Sequence, residues 1–108
     1  MAGRYRSGHR WRMAYARLKA QRRGCWICRV FGRPDAIDYG LPPRDPMGFS
    51  ADHLIPVSKG GDPYDMANLD ATHLRCNEWR RDRSVAEVLA IARRSRTKVA
   101  AVATTTEW

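Results

Sequence analysis

Apolar residues recur at helical spacing in two parts of the chain. Trp11, Tyr15 and Leu18 fall at i, i+4 and i+7 with Ala14 beside them, which predicts a helix from Arg10 to Arg23. Arg12, Lys19, Arg22 and Arg23 lie largely off that stripe, and Gly24 is placed to end the helix. On such a face Trp11 and Tyr15 are packing residues before they are base-stacking ones. Further on, Ser84 and Glu87 form a capping-box pair that starts a last helix, with Val85, Val88, Leu89 and Ala92 as its apolar side. Residues 29–50 are rich in Pro, Gly and Asp, which is loop chemistry. Short strands are predicted at Ile37–Tyr39, Phe49–Ile55 and Asn68–Ala71, punctuated by Pro56 and Gly60-Gly61-Asp62-Pro63. A helix from Thr72 to about Arg83 follows. The expected organisation is a basic, flexible arm over 1–10, a single domain over 10–95, and a tail over 96–108 with little structure.

With 108 residues there is room for one small domain and none for a multidomain enzyme. At 44% hydrophobic and 29% charged, the composition is that of a globular chain. No apolar run is long enough for a membrane span, and no apolar stretch follows the basic start, so neither a membrane segment nor a secretory signal is expected. A cytoplasmic protein is the expectation. The formal charge of +9 predicts a polyanionic partner, most often nucleic acid. Its distribution says more. Residues 1–34 carry +10, residues 35–74 carry −5, and residues 75–108 carry +4. Aspartates in turns and helix caps explain most of that acidic middle. A carboxylate beside a phosphate becomes useful when a cation lies between them.

Three cysteines, an odd number, argue against a disulfide framework. Cys25 and Cys28 form a C-x-x-C pair, and His73 and Cys76 repeat the two-residue spacer 44 residues further on. Together they make a Cys₃His set suited to a structural zinc, with His73 and Cys76 expected on one helix face. The rivals are a thioredoxin-like redox pair, which lacks its βαβ setting, and three ordinary buried cysteines. A chain with so little core has a physical use for a structural metal.

The stretches Ala51-Asp52-His53-Leu54-Ile55-Pro56, Ser58-Lys59-Gly60-Gly61, Asn68-Leu69 and His73-Leu74-Arg75-Cys76-Asn77 resemble an HNH endonuclease. Ile37-Asp38-Tyr39, Leu41-Pro42, Asp45-Pro46 and Phe49 look more narrowly like the small HNH proteins of tailed bacteriophages. The resemblance covers about Cys25 to Arg83. It implies a small α+β fold of the ββα-metal type, stapled by zinc and flanked by the basic helix and the last helix. It also implies His53 as general base, Asp52 and Asn77 as ligands of a catalytic Mg²⁺ or Mn²⁺, and Asn68 as the residue that orients the loop and the base. An imidazole, mostly neutral near pH 7, suits the base, and oxygen ligands suit a hard cation. The last letter of the motif is Asn here rather than His. Neighbours on a strand point to opposite faces, so a strand end or bulge is expected at Asp52-His53.

DNA is the implied substrate, with Arg12, Lys19, Arg22, Arg23, Arg75, Arg80, Arg81 and Arg83 as expected phosphate contacts. Relatives often have a basic residue followed by glycine where this chain reads Arg81-Asp82-Arg83. By analogy with the phage proteins the cut would serve genome packaging near the terminase, in the host cytoplasm, by a monomer or a homodimer. Two other readings stay open: a catalytically dead zinc-stapled DNA-binding module, and a basic zinc-ribbon protein on RNA. The second has no use for Asp52-His53.

Overall fold

The computed structural model describes the backbone of residues 2–105 and the side chains of residues 5–96. A 3-10 turn, Ala2–Ser7, leads into α1 (His9–Ala20) and α2 (Trp26–Val30). Strand β1 (Phe49–His53) is joined to β2 (Leu69–His73) through two 3-10 turns, Val57–Lys59 and Met66–Asn68. Helices α3 (Leu74–Arg80) and α4 (Val85–Thr105) complete a small α+β fold. The strands pair antiparallel in unbroken register, from Phe49 opposite His73 to His53 opposite Leu69.

Each side of the hairpin carries a small core. Against α1, Ala14, Leu18 and Leu69 are buried, with Trp11, Phe49, Ala51 and Met66 packed around them. Enclosing a leucine such as Leu18 contributes about 1.5–3 kcal/mol. The other core gathers Cys25, Trp26, Ile27, Cys28, Cys76 and Val88. The capping box at α4 is formed: the Glu87 amide donates to Ser84 Oγ (3.1 Å) and the Ser84 amide to Glu87 Oε1 (3.3 Å).

Several expectations are corrected. The first helix stops at Ala20, because Arg22 takes a left-handed backbone (φ 52°) and its guanidinium lies over the Tyr39 ring. Gly24 instead permits a close approach, since a Cβ there would strike Asp35, whose carbonyl accepts from the Cys25 amide at 2.7 Å. Ile37–Tyr39 makes no strand: Ile37 packs on the cysteine-rich core and Tyr39 on Phe49, so their alternation reflects two separate packing sites. His73 closes β2 rather than opening a helix turn, and Leu89 remains partly exposed. Residues 2–7 form the 3-10 turn, where Tyr5 meets Trp11 and His53 edge-on, and α4 runs on to Thr105. Residues 106–108 of the expected tail lie outside the described residues. No helix among the described residues is long and apolar enough to cross a membrane.

Candidate active site and metal centre

The two cysteine spacers converge. Cys25 precedes α2 and its Sγ accepts from the Cys28 amide (3.4 Å), so the first turn of α2 aims both thiols one way. Cys76 lies in the first turn of α3, and His73 at the end of β2 gives Nε2 to the Ala36 carbonyl (2.9 Å). A carbonyl only accepts, so the proton is on Nε2 and Nδ1 faces the cysteines with its lone pair. The four ligand atoms lie within 4.8 Å of one another, and all four residues are buried. Cys28 Sγ and Cys76 Sγ are 3.7 Å apart. Tetrahedral zinc with bonds of about 2.3 Å separates two sulfurs by about 3.8 Å. Burial pushes the Cys76 thiol up to about 12, with Cys25 and Cys28 adding to the effect, and Cys25 moves the same way. A divalent cation reverses that penalty by binding the thiolates. Donor chemistry and spacing therefore both fit a structural zinc.

Asp52 and His53 diverge, as the unbroken register requires. Of the strand end or bulge expected there, the structure has the end: β1 stops at His53, and Asn68 takes the next two amides, Leu54 N with its backbone carbonyl and Ile55 N with Oδ1, both at 2.8 Å. Asp52 points into the cysteine-rich core, where Oδ2 accepts from Trp26 Nε1 (2.8 Å) and Arg80 Nη1 (2.6 Å). Burial raises its carboxyl pKa, and Arg80 and Trp26 oppose the shift without cancelling it. Among the described residues no donor reaches Asp52 Oδ1.

His53 turns to the α1 side. Its ring stacks on Trp11 (5.3 Å between centroids, 27°) and meets the edge of Tyr5. Its Nε2 donates to the Pro63 carbonyl (3.2 Å), which leaves the Nδ1 lone pair as the basic atom. Desolvation lowers its pKa below the ordinary 6.5, outweighing the Pro63 bond and the Asp52 charge. Asn68 holds the loop that supplies this carbonyl. Its Nδ2 donates to Ile55 O (3.0 Å) and Asp62 O (3.1 Å), so the residue before Pro63 is pinned to the end of β1. Gly61 passes so near that a Cβ would collide with the Ile55 carbonyl. That contact requires glycine at 61, and Gly60 before it takes a left-handed backbone (φ 93°).

Asn77, one residue beyond Cys76, gives Nδ2 to Ser50 Oγ (2.9 Å) and to the Ala51 carbonyl (3.2 Å). The carbonyl fixes which amide atom is nitrogen, and no donor among the described residues reaches Asn77 Oδ1. Asp52, His53 and Asn77 all line one cleft of about 220 Å³, with Tyr5, Arg6 and Arg81 at its rim. These three cleft residues leave one carboxylate oxygen, one amide oxygen and one basic nitrogen without a partner among the described residues. The two oxygens fit a hard divalent cation that keeps sites open for water and phosphate.

The arginines separate by role. Arg80, expected to touch phosphate, is fully buried and also donates to the His53, Leu54 and Arg83 carbonyls, so it is a strut beneath the site. Arg23 pairs with Asp70 (3.4 Å), Arg12 donates to the Ser7 carbonyl (3.0 Å), and Arg83 lies over Trp79 and donates to its carbonyl. Arg75 lines a different depression, beside Trp79 and Phe31. Arg81 reaches the cleft, and Lys19 lines a notch beside Tyr39. Sequence reasoning missed Trp26, Tyr5, Arg6 and the Pro63 carbonyl. Trp26 lies inside the C-x-x-C spacer, where a tryptophan was a usable signal, whereas a backbone carbonyl leaves none.

A family model described as HNH endonuclease matches residues 25–83 of the chain. No curated protein and no solved structure matches it.

Proposed function

Because the chain belongs to the HNH endonuclease family, we propose that it is a metal-dependent DNA endonuclease in which His53 is the general base and Asp52 and Asn77 hold the catalytic ion. The observation that carries this reading is that the three residues line one cleft while the Nδ1 lone pair of His53 and one oxygen of each ligand stay unclaimed among the described residues. Asp52 and Asn77 would hold Mg²⁺ or Mn²⁺, whose charge, when bound, offsets that building on the scissile phosphate and the leaving oxygen. His53 Nδ1 accepts a proton from water as the water oxygen bonds to phosphorus and the opposite P–O ester bond breaks. Trp11 and Tyr5 hold the imidazole plane, and Pro63 fixes its tautomer. Asn68 acts through the loop, as a positioning residue.

The Cys₃His zinc would be scaffold only, because its four protein ligands leave no open position. The likeness to small phage HNH proteins supports a cut made during genome packaging or processing in the host cytoplasm, with terminase as partner. Supercoiled plasmid with Mg²⁺, Mn²⁺ or neither tests the activity: nicked or linear product with wild type and none with His53→Ala is expected. Salt-sensitive DNA binding without cleavage at either ion would make the chain a zinc-stapled binding module instead.

A further inference from the structure

The cleft is one end of a longer track. It shares Arg6, Ala51, Asn77 and Arg81 with an adjoining groove of about 820 Å³, and that groove shares Tyr15, Pro43 and Phe49 with a notch of about 70 Å³. The groove's charged lining is Arg6, Arg44 and Arg81 against one carboxylate, Glu78, so a polyanion is favoured there. Among the described residues neither Arg44 nor Arg81 has a side-chain hydrogen bond or ion pair. Both hold a positive φ that side-chain-bearing residues rarely adopt, 71° and 53°. Strained non-glycine residues cluster where function needs a side chain aimed.

The wall between these arginines is aromatic. Phe49 meets Tyr15 edge-on (5.2 Å) and stacks on Tyr39 (5.2 Å, 28°), and all three rings are only half-buried. A duplex presents sugar and phosphate outward and keeps its base faces covered, so an aromatic concavity gains nothing from it. An unpaired strand offers both faces at once: phosphates for guanidinium groups and bare bases for rings.

We propose that this groove takes an unpaired DNA strand beside the scissile phosphate, held on Arg6, Arg44 and Arg81 with bases against Tyr15 and Phe49. The substrate class is then single-stranded or locally opened DNA. The position of the cut rests on the nuclease reading given above, whereas the strand preference rests on the groove alone.

The two are separated by measuring binding and cutting independently. Fluorescence anisotropy with the His53→Ala chain, without added magnesium or manganese, would use a labelled 12-nucleotide single strand and its blunt duplex. About tenfold tighter binding of the single strand is expected. Arg44→Ala and Tyr15→Leu, each checked for an unchanged zinc content and melting curve, should weaken single-strand binding at least fivefold more than duplex binding. Equal affinity for the two probes, or equal losses on both, overturns the proposal. In a parallel assay with wild type and Mg²⁺ or Mn²⁺, a duplex carrying a short unpaired loop should be cut about tenfold faster than the fully paired one. Equal cutting overturns the strand preference and leaves the nuclease standing. Single-strand preference in binding with no cutting overturns the nuclease and leaves the groove assignment standing.

Discussion

Arg80 and Asp52 form an ion pair enclosed by protein, Nη1 to Oδ2 at 2.6 Å, with side chains 1% and 6% exposed. The guanidinium also lies 5.3 Å from the centre of the Trp26 ring and donates to the two carbonyls that follow Asp52 along the chain. One oxygen of Asp52 is thus committed to the scaffold, and the other has no donor among the described residues. In the proposed function the pair would aim a ligand of the catalytic ion.

Removing one member leaves the other charged and buried. Arg80→Met is expected to cost about 3–5 kcal/mol of stability, read from urea unfolding. The double variant Asp52→Asn/Arg80→Met should recover part of that loss. An Arg80→Met chain as stable as wild type would contradict the strut role.

The rate of cleavage should depend on His53 with a definite sign. Burial favours the neutral ring, so its titration lies below 6.5. A cation bound beside it moves it the same way. The plateau should span neutral pH, with the rate falling only as pH drops through that lowered value. Because the folded-state value is depressed, the stability it contributes is full above 6.5 and is lost as pH falls through the folded value. A pH–rate profile with its acid limb above 6.5 would exclude His53 as the base. His53→Ala should cost about 10²–10⁴ in rate.

Loss of the thiolate site should be global. Cys76→Ser, or stripping zinc with a strong chelator, is expected to abolish the cooperative thermal transition, since structural zinc in small domains contributes on the order of 10 kcal/mol. Metal analysis should return one zinc per folded chain. Retained cooperative melting after zinc removal would refute this.

The loop that carries the Pro63 carbonyl can be tested without touching the base. Gly61→Ala forces a methyl into the Ile55 carbonyl and should cost about 3 kcal/mol. Asn68→Ala removes three hydrogen bonds. It should lower kcat far more than it raises KM, and it should shift the acid limb of the pH profile toward the ordinary histidine value. Equal changes in kcat and KM would make the residue a substrate contact.

Groupings that depend on residue type and spacing were legible in the sequence. Cys25, Cys28, His73 and Cys76 meet as their two spacers imply, and Asp52, His53 and Asn77 share a cleft as the family resemblance implies. The helices whose apolar stripe or cap is local, α1 and α4, were found near their true starts. Contacts that depend on where the chain comes back were not legible. Arg80 has the same type as its exposed neighbour Arg81, and only the fold sends one inward to Asp52 and the other to the groove. Ile37–Tyr39 alternates like a strand, yet among the described residues no strand pairs with it. Tyr5 is a lone ring among arginines, so nothing periodic marks it as the lid on Trp11 and His53.

Helix α3 is seven residues long, and within it Cys76 faces the thiolate cluster, Asn77 the cleft and Arg80 the Asp52 carboxylate. Fewer than two turns separate these duties, so the helix has no slack to lose one and keep another. Under the proposed function, intermediate degrees of activity would therefore be closed to the molecule as zinc becomes scarce. A preparation half loaded with zinc would be a mixture of fully competent and inert molecules, and its cutting rate would count the loaded ones.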